Sequence, residues 1–128
     1  HDGSAATLDD LISNNDDHPR NHAVLARSGH WSLSPAYDLT PNPQVSVERR
    51  DLALTVGDFG RAATVGNLLS QAPRFGLQRE DAANIIEAMR MTVQSQWFAT
   101  ARASGVSDAD CERIAGAFVY AGLVASQD

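Results

Sequence analysis

Ile85, Ile86, Met89, Val93 and Trp97 fall along one face of a helix drawn through the second half of the chain. Apolar residues recurring at this spacing mark an amphipathic helix. The pattern predicts a long helix from about Arg79 to Ser104. Glu80 and Asp81 favour the positive end of its dipole, and Gly105 ends it. Such a stripe must be buried against other elements, so the helix requires partners. Val65, Leu68, Leu69 and Ala72 supply a second stripe, with Thr64 as its cap and Pro73 near its end. Ser107 opens a third helix, with Asp110 in the acidic position of a capping-box-like pattern. Its buried face is expected to be Ile114, Ala115, Phe118 and Val119. The second half therefore reads as a bundle of three helices.

The first half follows other rules. Ala5, Leu8, Leu11 and Ile12 recur at helical spacing behind Ser4 as N-cap, and the run stops at Asn14-Asn15-Asp16-Asp17. Asn and Asp bond their own backbone and so favour turns. His22-Ala23-Val24-Leu25-Ala26 and Trp31-Ser32-Leu33 then read as the strands of a hairpin turned at Ser28-Gly29. Three prolines between Ser34 and Pro43 keep that stretch extended or turning. Val45 to Val56 alternates loosely and suggests a further short strand pair. The expected fold is mainly α: a helical bundle with a small β-hairpin beside the polar loop, one domain over residues 1–128.

Composition narrows the function. The 128 residues suit one domain with a real core. A net charge of −6 and a pI near 5.0 disfavour direct binding to nucleic acid, which needs a positive surface to release counterions. A single cysteine, Cys111, excludes an internal disulfide and fits a reducing cytoplasm. No apolar run approaches the roughly 18 residues of a membrane span, and no signal-peptide pattern is present. All ten basic residues are arginine. Without lysine, a P-loop lysine and a Schiff-base lysine are both excluded.

The densest polar cluster is Asn15-Asp16-Asp17-His18-Pro19-Arg20-Asn21-His22. Its bland reading is a loop that ends one helix and turns into the hairpin. Its sharper reading rests on spacing. Kinase catalytic loops place an aspartate base five positions before an asparagine that holds Mg²⁺, and a later aspartate completes the metal site. Asp16 and Asn21 have that separation, and Asp38 follows the hairpin in Pro35-Ala36-Tyr37-Asp38.

These stretches, with Trp31-Ser32-Leu33-Ser34-Pro35-Ala36-Tyr37-Asp38-Leu39, resemble the C-terminal region of HipA-like serine/threonine kinases, the toxins of bacterial toxin–antitoxin modules. The family pattern, roughly N-[TN]-D-[GD]-H-x-[KR]-N, a hairpin, then L-x-P-x-Y-D, is met throughout. The resemblance runs from about Leu8 to Leu123. It implies Asp16 as catalytic base and Asn21 and Asp38 as Mg²⁺ ligands. It places His18, Arg20 and Asn21 in the stretch that approaches the phosphates of ATP. Physically, His18 could orient the loop by a hydrogen bond, and Arg20 could neutralise phosphate charge. Asp17 stands where some members carry glycine, which leaves two adjacent carboxylates. Only Asp16 has the offset from Asn21.

Several residues invite over-reading. Asp58-Phe59-Gly60 spells the metal-binding tripeptide of eukaryotic kinases but lies far from Asp16, and is read as a turn. Cys111 is expected to be a small core residue, and Met89 and Trp97 core residues of the long helix. Trp31 is expected to pack the hairpin on the bundle, and Tyr37 to hold the loop of Asp38. Arg49-Arg50-Asp51 is expected to be a solvated turn.

A kinase also needs a glycine-rich loop and a strand lysine. The nine glycines form no G-x-G-x-x-G and lysine is absent. The chain, which begins at His1, is therefore expected to be one lobe that is inactive without an N-terminal nucleotide-binding lobe. Its partners would be that lobe, a protein substrate and a helix-turn-helix antitoxin. A second hypothesis is a non-catalytic interaction domain that binds such an antitoxin. A third is a metal-dependent phosphohydrolase built on Asp16, Asp17, His18, His22 and Asp38, although the second half supplies no histidine.

Overall fold

A computed structural model describes residues 3–43, 46 and 48–124. Helix α1 spans Gly3–Ile12, so Ser4 lies inside it rather than capping it. Leu11 and Ile12 are buried. The helix closes with Ser13 in the left-handed region (φ 57°) and Asn14 N donating back to Asp9 O at 2.9 Å. That pattern is a Schellman ending, in which glycine is the usual left-handed residue. Serine stands here because its hydroxyl is used: Oγ donates to Ala117 O at 2.7 Å and accepts from the Arg50 guanidinium. The loop that follows is thus anchored at its root to the far end of the chain.

A one-turn 3₁₀ helix, Pro19–Asn21, leads into strand β1 (Val24–Arg27), which pairs antiparallel with β2 (His30–Leu33). Arg27 faces His30 across the turn. Ser28 and Gly29 both take positive φ, 49° and 79°. Two left-handed residues in succession match the twist of a tight hairpin. Every residue of both strands is exposed, and Trp31 is 71% exposed beside Ala26. The expectation that Trp31 packs the hairpin on the bundle is therefore wrong. A two-stranded ribbon covers neither of its own faces, and no further element is laid over it among the described residues.

The expected strand pair within 45–56 does not form over the described part of that stretch; Val45 and Val47 lie outside the described residues. Instead, residues 50–52 bond to residues 61–63: Leu52 N to Arg61 O and Ala63 N to Arg50 O, each at 2.8 Å. Arg50 is buried over the Tyr120 ring, 4.5 Å from its centroid, which corrects the reading of Arg49-Arg50-Asp51 as wholly solvated. Gly57 lies so close to Asn67 that a Cβ would meet its backbone carbonyl at 2.3 Å.

Helix α2 (Val65–Ser70) starts as expected, with the Thr64 side chain accepting from Asn67 N. Helix α3 (Arg79–Ala103) matches the long periodic segment. Ala82 and Ile86 are its buried residues, and Met89, Val93 and Trp97 are half-buried along the same line. Ile85 is 45% exposed, because a neighbour of Ile86 is turned about 100° away. Gly105 takes φ 90° just beyond the helix end.

Ser107 caps α4 (Asp108–Ile114), its Oγ accepting from Asp110 N and donating to the Asp110 carboxylate at 2.8 Å. Cys111 is fully buried, as expected of a small core residue. The helix is shorter than the sequence suggested. It gives way to a 3₁₀ turn at Ala115–Ala117, which contains Gly116, a poor helix former. Ala115 is exposed and Ala117 buried instead. Phe118 stacks on Trp97 with ring centroids 4.5 Å apart. Val119 turns left-handed, and its N–H donates to Leu11 O at 2.8 Å. A final 3₁₀ turn covers Ala121–Val124.

The fold is mainly α with one small hairpin. Leu11, Leu52, Ala63, Tyr120 and Leu123 form one buried cluster, against which Met89 and Val93 of α3 pack. Leu69, Ala72, Ala82 and Ile86 form a second, between α2 and α3. Burying each leucine contributes roughly 1.5–3 kcal/mol. The first cluster holds α1 in place, and α1 in turn positions the polar loop.

Candidate active site

The loop after α1 is organised around Asn21. Its backbone N–H donates to His18 O at 2.9 Å, closing the short turn that Pro19 pre-shapes. Its side chain works in two directions. Oδ1 accepts from His18 N at 3.1 Å, and Nδ2 donates to Asp38 Oδ2 at 2.7 Å. Asn21 is buried and Asp38 exposed. Asp38 takes φ 57°, a conformation that aspartate tolerates better than most residues. Tyr37 holds the same junction: its hydroxyl donates to Arg20 O at 2.7 Å. Tyr37 thus ties the two segments together as expected, by a hydrogen bond while 42% exposed rather than by burial. Asn42 Nδ2 adds a further tie to Asn15 Oδ1 at 3.1 Å.

The two adjacent aspartates have opposite environments. Asp16 is exposed. Asp17 is buried, and its Oδ1 lies 2.7 Å from His22 Nε2. Behind it stands Asp9 of α1, buried, with Asn14 Nδ2 donating to its Oδ1 at 2.8 Å. Burial first, and then the hydrogen bond to Asp17, push the Asp9 carboxyl up to about 8, with the Asn14 amide opposing the rise. The rise favours the protonated form of Asp9, whose hydrogen would face Asp17. The next residue, Asp10, is fully buried with neither oxygen hydrogen-bonded. Burial, and then the adjacent Asp9 carboxyl wherever that group ionises, hold its carboxyl well above the usual range.

His18 contributes through its backbone. Its imidazole Nδ1 is buried without a hydrogen-bond partner, so the loop is not oriented through that atom. Arg20 is exposed, with its carbonyl committed to Tyr37. A cavity of about 230 Å³ lies beside the loop, its lining including Asp9, Asp17, Asn21, His22, Tyr37 and Met89. Sequence reasoning missed Asp9 and Asn14. Their only signal was an acidic pair, Asp9-Asp10, in a helix that otherwise reads as apolar on its inner face.

The donor set can be tested for a cation. Among the described residues, no group of three or more His, Cys, Asp or Glu side chains is placed to hold a metal ion, which is what the phosphohydrolase alternative needs. Asn21 and Asp38 instead bring a carboxamide and a carboxylate side by side, with the amide nitrogen on Asp38 Oδ2 and the amide oxygen on His18 N. Hard oxygen donors in that number suit Mg²⁺, which keeps most of its waters and completes its shell with substrate phosphate. The amide oxygen has a second lone pair beyond the one that His18 N–H uses.

Asp58 does not join this site. It sits in a turn closed by Gly57 and Gly60, where its N–H donates to Ser70 Oγ and its carboxylate accepts from Gln71 Nε2 at 2.7 Å. Asp58-Phe59-Gly60 is a turn resting on α2.

No helix among the described residues is long and apolar enough to cross a membrane. No curated protein and no solved structure matches the chain. The model of one family, the HipA-like C-terminal domain, matches residues 4–97. That span takes in α1, the polar loop, the hairpin, Asp38, α2 and most of α3, well over half of the chain, and this chain belongs to the HipA-like C-terminal domain family.

Proposed function

We propose that this domain is the catalytic C-terminal lobe of a HipA-like serine/threonine protein kinase. It would transfer the γ-phosphoryl group of ATP to a protein hydroxyl, and would be inactive without a second lobe. The observation that carries this reading is the convergence of Asn21 and Asp38, from segments on either side of the hairpin, with Asn21 in the loop that also carries the exposed Asp16.

The roles follow from the environments. Asp16 is the base, because a base must reach the substrate hydroxyl and only Asp16 of the two adjacent aspartates faces solvent. Asp17 is engaged by His22 and serves structure. Asn21 Oδ1 and the Asp38 carboxylate would hold Mg²⁺. When bound, the cation neutralises charge on the β- and γ-phosphate oxygens. Arg20, exposed at the same turn, offers a guanidinium to the phosphates, with His18 beside it. The glycine-rich loop and lysine that the chain lacks would come from the N-terminal lobe.

The test is phosphotransfer by the polypeptide that joins this chain to such a lobe. Asp16→Asn should lower transfer of labelled phosphate to protein about 10²–10⁴-fold while leaving the fold intact. Near-wild-type transfer would remove Asp16 as the base.

A second reading is favoured by a specific observation. Val24, Trp31 and Leu33 are each more than half exposed on the hairpin, an apolar surface of the kind that marks protein contacts. On this reading the domain is a non-catalytic module for a helix-turn-helix antitoxin. Calorimetric titration separates the two: tight ATP–Mg²⁺ binding by the chain would contradict a purely interacting role.

A further inference from the structure

We infer that Asp9 and His22 act, through Asp17, as positioning residues for the loop that carries Asp16 and Asn21. The inference rests on the kinase reading for its purpose, but its geometry is independent of that reading.

A base and a metal ligand must be held to within a fraction of an ångström of their working positions. Asp16 is exposed on a loop, and the turn beside it, Pro19–Asn21, is only three residues long. Such a segment does not hold itself still. Asp17 supplies what it lacks. One neighbour, Asp9, reaches it from the rigid end of α1; the other, His22, reaches it from the residue that follows Asn21. The bond from Asp17 Oδ1 to His22 Nε2, 2.7 Å long, closes a ring of chain around His18–Asn21. The Asp9 contact fastens that ring to the helix, and Asn14, in the Schellman ending, fixes Asp9 in turn.

Stability alone does not account for the arrangement. Buried carboxyls are costly to desolvate, and apolar residues of similar size often serve a core better. A buried polar network directly behind an exposed acidic residue is where a fold departs from its own stability rules for the sake of a site. The donor and acceptor pattern also specifies what would substitute. Protonated Asp9 gives a hydrogen to Asp17 and takes one from Asn14. Asparagine at position 9 can do both.

Hydrogen exchange followed by NMR tests this on the chain itself. The reporters are the amides of Asn21 and His22, bonded to His18 O and Pro19 O, with Ile86 and Met89 of α3 as controls. Asp9→Ala should speed exchange at the two loop amides by about tenfold or more while the α3 amides stay within about twofold. Asp9→Asn should keep both sets near wild type. His22→Ala, at a half-buried position, should loosen the loop as Asp9→Ala does, and it serves if Asp9→Ala fails to fold. Unchanged loop exchange in His22→Ala, or equal acceleration in α3, would overturn the proposal. So would Asp9→Asn loosening the loop as much as Asp9→Ala.

Mn²⁺ added to the wild-type chain, read by paramagnetic broadening at Asn21 and Asp38, tests the metal reading separately. Absent broadening with the exchange pattern intact would sink the metal reading and leave the positioning role standing.

Discussion

Asn21 and Asp38 lie 17 residues apart in the chain, and Asn21 Nδ2 donates to Asp38 Oδ2 at 2.7 Å. The hairpin between them acts as a spacer that brings its two flanks together. The contact is held on the outside by Tyr37, which bonds Arg20, and on the inside by the turn that Asn21 itself closes. The two side chains are thereby held side by side, so that a cation replacing the Nδ2–Oδ2 hydrogen bond would meet both already in place.

The Tyr37 hydroxyl is therefore expected to matter more for the site than for the fold. Tyr37→Phe removes one exposed hydrogen bond, worth about 0.5–1.5 kcal/mol at most. Urea unfolding should show a loss at the low end of that range. Mn²⁺ broadening at Asn21 and Asp38 should weaken clearly in the same variant. A variant that binds Mn²⁺ like the wild type would show that the junction does not depend on Tyr37.

Asp16 and Asp17 should respond in opposite ways to the same substitution. Asp16 is exposed, so Asp16→Asn should leave the melting temperature close to wild type and lower phosphotransfer by the two-lobed polypeptide about 10²–10⁴-fold, the usual worth of a general base. Asp17→Asn disturbs a buried pair with His22 and should lower the melting temperature measurably. The reverse pattern would exchange their roles.

The parts of this molecule that were legible in the sequence are those set by local chemistry. The α3 stripe, the Thr64 and Ser107 caps, and the Ser28-Gly29 turn each follow from spacing or side-chain bonding within a few residues. The Asn21–Asp38 convergence was legible because a family pattern carried it. What escaped depended on distant packing. Nothing local to Trp31 says that its face goes uncovered, and nothing local to Val119 says that its N–H returns to bond Leu11. Asp9 looked like an ordinary helical acid. Its role exists only because the chain returns at Asp17 to meet it.

Asp10 offers a test of what burial costs. Both of its oxygens are buried without a hydrogen-bond partner, and leucine has the same number of side-chain heavy atoms in the same branched shape. Removing an unsatisfied polar group recovers its desolvation penalty, about 1–3 kcal/mol. Asp10→Leu should therefore raise the urea midpoint. A lower midpoint would indicate that the carboxyl is used.

The protonated state of Asp9 sets a pH dependence with a definite sign. Its carboxyl titrates near 3.8 in the unfolded chain and at about 8 in the fold. Between those values the folded state holds a proton that the unfolded state has released. The stabilisation from this group is complete below about pH 4, declines as pH rises, and is gone above about 8, with a slope of at most about 1.4 kcal/mol per pH unit. Asparagine at position 9 keeps both hydrogen bonds and has no proton to lose. Asp9→Asn and the wild type should therefore be similar in stability near pH 4 and diverge toward pH 8, with the asparagine variant the more stable. Urea unfolding of both proteins at the two pH values measures the gap. A gap that stays constant, or that opens in favour of the wild type at high pH, would show that Asp9 is not protonated in the fold.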